Sequence, residues 1–150
     1  LNKRLHRDPN KGTIRRTTDA FEMATAVVFF SPLQHWGLVP ENLKEKPAYL
    51  FDYLKNVPTV WDETRFIDGY PGKYSVIARR KNTKWYIAAI NGENKAKSIT
   101  IDLPMLKNKE VSIISDGEGA DSKFSTKKFD KNTSFTLELS PNGGTVIFMP

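Results

Sequence analysis

Two hydrophobic periods divide this chain, and they meet near Pro58. Before it, apolar residues recur at helical spacing; after it, they alternate. Helices and strands repeat their side-chain directions about every 3.6 and every 2 residues. A helical region is therefore predicted to precede a β-rich one. Residues 18–30 contain neither Gly nor Pro, and Thr17 or Thr18 can serve as an N-cap. Asp19 and Glu22 place negative charge in the first turn, where the helix dipole favours it. The end of this run, Val27-Val28-Phe29-Phe30, is apolar nearly all round, which predicts a helix covered on more than one side. Pro32 ends it. A short buried strand is expected at 33–36. A second helix is expected at 47–56, opening on Pro47 and carrying Tyr49, Leu50, Tyr53 and Leu54 at helical spacing.

Beyond Pro58, eight segments read as strands: 60–67, 74–80, 84–90, 98–103, 111–115, 124–129, 134–139 and 145–149. Turn signals such as Tyr70-Pro71-Gly72, Asn91-Gly92 and Asn142-Gly143-Gly144 separate them. Short strands at regular spacing, with no helical pattern between them, predict an antiparallel sandwich. Alternation puts Ile99, Ile101 and Leu103 on one face and Phe135, Leu137 and Leu139 on another, enough to supply a core. The expected fold is mainly β: an antiparallel β-sandwich at 58–150, preceded by a helical region at 1–57.

One stretch is specific enough to carry a resemblance. Thr59-Val60-Trp61-Asp62-Glu63-Thr64-Arg65-Phe66 leads through Asp68-Gly69-Tyr70-Pro71-Gly72 into Lys73-Tyr74-Ser75-Val76-Ile77-Ala78-Arg79-Arg80. Trp85-Tyr86-Ile87-Ala88-Ala89-Ile90 and Asn91-Gly92-Glu93 follow, and Phe29-Phe30-Ser31-Pro32-Leu33-Gln34 stands upstream. Together they resemble the C-terminal end of glycoside hydrolase family 97, with the likeness weakening after about Leu103. The resemblance implies a parent enzyme that hydrolyses α-linked glucosides or galactosides and depends on calcium. It implies an N-terminal β-sandwich, a central (β/α)8 barrel and a small C-terminal β-sandwich associated with oligomer contacts. On that reading 1–57 is a helical remnant of the barrel, with 18–30 a late barrel helix and 33–36 its last strand. The partners implied are the rest of the enzyme, a second copy of the chain, and an oligosaccharide in the intact protein. A periplasmic or extracellular location is expected from the same resemblance.

Composition changes this picture little. Hydrophobic residues make up 39% and charged residues 27%, a globular balance. The net charge of +6 raises nucleic acid as a partner, but the Lys and Arg residues are dispersed and no recognition motif accompanies them. With no cysteine, neither a disulfide nor a thiolate metal site can form. No stretch has the length of a membrane-spanning helix. The chain starts at Leu1 rather than Met, so the natural N-terminus and any targeting segment are expected upstream.

Glycoside hydrolysis needs two carboxyl groups facing each other across the sugar, about 5 to 9.5 Å apart. Asp62 and Glu63 are the evident pair, yet neighbours on a strand point to opposite faces and cannot converge on one bond. They are expected instead to tie the first sandwich strand to the helical region, with Arg65. No catalytic residue is therefore assigned in this chain. Gln34, His35 and Trp36 would lie at the mouth of the last barrel strand, where active sites of such barrels sit. They either border the sugar pocket of the intact enzyme or pack and cap the loop. Asp116-Gly117-Glu118-Gly119-Ala120-Asp121 has the acidic density of a calcium loop but not its ligand register, so a turn is expected and no metal site is assigned. Trp61, Tyr70, Trp85 and Tyr86 could form a sugar-stacking platform. Such a platform would make the chain a free-standing carbohydrate-binding module, the alternative to an enzyme's structural tail. Adjacent Trp85 and Tyr86 face opposite ways, which favours packing. The helix ending in Val27-Val28-Phe29-Phe30 is expected to find cover on the sandwich, on a second copy or on a companion piece of the same enzyme.

Overall fold

The computed structural model describes residues 1, 2, 4, 6, 8 and 10–150. Part of the basic group formed by Lys3-Arg4 and His6-Arg7 thus falls outside the described residues. Three helices come first: α1 (Asp19–Val28), the single turn α2 (Asn42–Glu45) and α3 (Ala48–Asn56). Eight strands follow among the described residues: β1 (Glu63–Tyr70), β2 (Tyr74–Lys81), β3 (Lys84–Asn91), β4 (Lys97–Asp102), β5 (Glu110–Asp116), β6 (Ser122–Lys128), β7 (Ser134–Leu139) and β8 (Gly144–Phe148).

The strands form an antiparallel sandwich of unequal layers. One sheet has six strands in the order β1-β2-β3-β8-β5-β6, and the other pairs β4 with β7. Ile99 lies opposite Leu137 and Ile101 opposite Phe135, so the two apolar sets expected on separate faces are cross-strand neighbours on one face. That face closes on Val76, Ala78, Trp85, Ile87, Val111 and Ile147 of the large sheet, making the inter-sheet core.

The opposite face of the large sheet is apolar too, and the helices cover it. Met23, Ala24 and Val27 of α1, with Leu50 and Tyr53 of α3, pack on Tyr86, Ala88, Ile114 and Val146. Strand alternation produces both cores from the same residues' neighbours: Trp85 enters one and Tyr86 the other. The helix backbone comes very close here. A Cβ on Gly144 would stand 2.7 Å from the Cα of Phe21, so only glycine allows the approach.

Residues 33–36 are not a buried strand. They form an extended loop in which Leu33 is 69% exposed. A strand exists only with a partner's ladder, and among the described residues the segment pairs with none. The α2 turn escaped the periodicity because four residues are too few to show one; it is set by Asn42, whose Oδ1 accepts the Val39 N–H at 3.1 Å.

Candidate functional site: the seam between helices and sandwich

The densest polar constellation lies where α1 meets the sandwich. Thr18 caps α1 by accepting the Phe21 N–H at 3.0 Å, and its hydroxyl donates to Asp116 Oδ1 at 2.6 Å. Asp116 Oδ1 also accepts the Gly144 N–H at 3.0 Å, and Oδ2 accepts the Ser140 N–H at 2.8 Å. One buried carboxylate thus joins the α1 N-cap, the end of β5 and both ends of the turn between β7 and β8. A Cβ on Gly143 would meet Asp116 Oδ2 at 2.1 Å, so the carboxylate occupies the space a side chain there would need. Backbone bonds reinforce the joint: Thr18 N–H donates to Asn142 O at 3.3 Å and Asp19 N–H to Ala120 O at 2.8 Å.

The other end of α1 is held by Arg79. This buried arginine donates from Nε to Val27 O at 2.6 Å and from Nη2 to Val28 O at 3.4 Å, while Nη1 reaches Thr64 Oγ1 at 3.1 Å. It satisfies carbonyls a helix terminus leaves open and places positive charge at the negative end of the dipole. Burial pulls its pKa below the usual arginine value.

A charge cluster completes the seam. Asp19, itself buried, is paired with Arg15 and with Lys46 Nζ at 2.7 Å, and Lys46 also reaches Asp121 Oδ1 at 2.9 Å. Burial works against the Lys46 ammonium, but its bonds to Asp19 and Asp121 outweigh that and hold its pKa above the ordinary lysine value. Tyr53 Oη donates to Met23 O at 3.1 Å and Tyr49 Oη to Ser122 O at 2.8 Å, fixing α3 to α1 and to β6.

The residues singled out by sequence fall around this seam. Gln34 Nε2 donates to Ala26 O at 2.9 Å and so ties its loop to α1. Exposed His35 and half-buried Trp36 line a cleft of about 1670 Å³ bounded by Arg15, Glu22, Leu38 and Lys46. Asp62 and Glu63 do not reach the helical region, contrary to expectation. Asp62 accepts the Asn82 N–H at 2.6 Å and pairs with Lys81 at 3.1 Å; Glu63 takes Arg65 at 2.6 Å and Arg80 at 3.0 Å. Both groups brace the β1–β2 edge, where Arg65 of β1, Arg80 and Lys81 of β2 and the turn at Asn82 supply the donors. The Asn82 N–H and Lys81 hold the Asp62 carboxyl below its ordinary value, and Arg65 and Arg80 do the same for Glu63.

The aromatic residues do not form one exposed platform. Trp61 packs edge-on against Tyr86 at 5.2 Å between centroids, Tyr86 lies beside Phe148, and Arg65 covers Trp85 at 4.8 Å. Only Tyr70 of the four is exposed. Among the described residues no group of three His, Asp or Glu side chains could hold a metal ion. The acidic loop does not suit calcium: the oxygens of Asp116 already face N–H and O–H donors, and Asp121 faces Lys46.

Sequence reasoning missed Asp116 and Arg79. The signal for Arg79 was present, since alternation with Ile77 placed a guanidinium on a buried face, where it must find an acceptor. Asp116 gave none beyond its place before a turn glycine, because its partners lie 98, 24 and 28 residues away.

A family profile described as "Glycosyl-hydrolase 97 C-terminal, oligomerisation" matches residues 60–150. The chain belongs to glycoside hydrolase family 97. The match runs to Pro150, beyond Leu103, after which the likeness was expected to weaken. A retaining α-galactosidase of Bacteroides thetaiotaomicron is 32% identical over 130 residues, 82% of this chain and 19% of that protein. The crystal structure of a β-arabinopyranosidase has 44% identity and a TM-score of 0.92, covering 99% of this chain and 24% of that one. A family 97 enzyme of Pseudoalteromonas sp. strain K8 in complex with panose has 30% identity and a TM-score of 0.81, over 90% of this chain and 23% of that one. The chain therefore spans about a fifth to a quarter of the length of these three relatives.

Proposed function

We propose that this chain serves as the C-terminal segment of a longer family 97 glycosidase, joining the end of a catalytic barrel to a β-sandwich and contributing to self-association. The observation that carries this reading is the backbone agreement with the β-arabinopyranosidase over 99% of the chain, helices included. The helix–sandwich seam is thus a joint shared with a much longer protein. Catalytic carboxylates and the calcium site are assigned to the part upstream. The chain's own contribution is mechanical: Asp116 and Arg79 fix α1 at its two ends, and through it the position of the loop at 33–39. His35 and Trp36 on that loop would border the sugar pocket, with Gln34 holding the loop to α1.

The substrate class favoured is α-linked galactoside. A β-L-arabinopyranoside has the ring stereochemistry of an α-D-galactoside and lacks only its C6 hydroxymethyl group. The relatives named for these two sugars are therefore related by one substituent. A retaining outcome would require two upstream carboxyl groups about 5 to 5.5 Å apart. The secreted or periplasmic placement expected from the family goes with this reading.

The test is to express the complete protein and rank kcat/KM for aryl α-galactoside, β-L-arabinopyranoside and α-glucoside with calcium present. The first two should exceed the third. A preference for the α-glucoside would overturn the substrate class, and absence of turnover on all three would overturn the glycosidase reading.

A further inference from the structure

The last turn of α1 runs from Thr25 to Val28, and a helix leaves the carbonyls of its last turn without partners of its own. Here each of them is taken. Thr25 O accepts the Phe29 N–H at 3.0 Å, and Ala26 O accepts the Gln34 amide at 2.9 Å. Val27 O and Val28 O accept the Arg79 guanidinium at 2.6 and 3.4 Å. One helix end is thus capped from two directions, by the sandwich through Arg79 and by the loop at 33–39 through Gln34. Because the capped carbonyls are neighbours on one rigid turn, the start of the loop is fixed relative to β2.

From Gln34 onward the loop is extended, and its side chains alternate in direction as extended backbone requires. Gln34, Trp36 and Leu38 are half-buried, with Trp36 and Leu38 packed on the helix-side core. Leu33, His35, Gly37 and Val39 form the opposite, exposed set. Within that set His35 carries the one hydrogen-bonding side chain, between the apolar Leu33 and Val39. Small-molecule sites have this composition, an apolar lining with a few placed polar groups. An imidazole can serve sugar hydroxyls as donor through one nitrogen and acceptor through the other. His35 also stands between two held residues, Gln34 at Ala26 O and Trp36 in the core. The far end of the loop is held by the Val39 N–H on Asn42 Oδ1 at 3.1 Å.

We propose that His35 is the residue of this loop that contacts the sugar in the complete enzyme, and that Gln34 is a positioning residue acting through it. This rests on the glycosidase reading and narrows it. Trp36, turned toward the helices, supports the loop from its inner side, and Gln34 sets the angle at which His35 leaves α1.

Steady-state kinetics of the complete protein on an aryl α-galactoside test this, with His35→Ala, Gln34→Leu and the two combined. His35→Ala should raise KM about tenfold and leave kcat within about twofold, as when a contact common to ground and transition states is lost. Gln34→Leu keeps a side chain of similar size without the donor. It should raise KM by about the same factor, with little change in melting temperature. The combined variant should be no worse than either alone, since Gln34 acts through His35. A KM unmoved by His35→Ala overturns the assignment; His35 is exposed, so its replacement leaves folding intact. Factors that multiply in the combined variant overturn the positioning role of Gln34. So does a Gln34→Leu variant that melts early and loses kcat while its KM stays unchanged. A wild type without turnover is a separate result: it sinks the glycosidase reading, and this inference with it, before any variant is compared.

Discussion

Asp116 gives two oxygens to three donors, one at the α1 N-cap and two at the ends of the turn between β7 and β8. Removing the carboxylate strands a hydroxyl and two backbone N–H groups in a covered joint, and a buried donor without a partner costs about 1–3 kcal/mol. Asp116→Ala is expected to lower stability by about 2–4 kcal/mol, with partial relief from water and relaxation. Asp116→Asn should cost less, because one oxygen can still serve Thr18 and Gly144 while only Ser140 faces the amide. Gly143→Ala should cost about as much as Asp116→Ala, since its Cβ takes the space of Oδ2. The double variant Asp116→Ala/Gly143→Ala should then be less destabilised than the sum of the two, as expected for residues in contact. Denaturant unfolding of the four variants checks this; simple additivity would show that the glycine is not there to admit the carboxylate. None of this was readable in the sequence, where Asp116 stands out only as the first acid of an acidic turn and Gly143 as one of two turn glycines.

At the scale of elements, strands were the legible part. Alternation within short runs and the Gly, Asn and Pro between them are local signals, and all eight strands appear within three residues of their expected bounds. Thr18, Asp19 and Glu22 likewise marked the start of α1. What stayed hidden was non-local: which strands neighbour which, and that 33–36 has no partner. The inter-sheet core draws only on residues from Ile67 onward, so a fragment of residues 58–150 should fold cooperatively. It would lose the helix layer over Tyr86, Ile114 and Val146, each worth roughly 1.5–3 kcal/mol when buried. Its melting temperature should therefore fall by about 10 °C or more below that of the whole chain. A non-cooperative melt would mean that the helices are part of the sandwich core; an unchanged midpoint would mean that the second core contributes nothing.

For the molecule as a whole, the sequence disclosed family and architecture more readily than the working of its site. The motifs around Pro58 to Glu93 pointed to family 97, and the helix ending in Val27-Val28-Phe29-Phe30 pointed to something that must cover it. The structure ends that helix at Val28, short of the expected Phe30: Met23, Val27 and Val28 go against the sandwich, while Phe29 and Phe30 follow it and stay exposed. Placing Gln34, His35 and Trp36 at a sugar pocket relies on a barrel that most of the relatives' length would supply. Five carboxylates of this chain, by contrast, are engaged in holding it together. Asp19 and Asp116 lock helix to sandwich, Asp121 meets Lys46, and Asp62 and Glu63 brace the β1 edge. With these five committed to pairs within the chain, the isolated chain is expected not to cleave a glycosidic bond. Assay of the isolated chain on aryl α-galactoside and β-L-arabinopyranoside, with calcium present, measures this directly. Turnover indistinguishable from buffer is the predicted result. Hydrolysis that disappears in Asp62→Asn or Glu63→Gln would contradict it, because it would place the chemistry in the segment described here as structural.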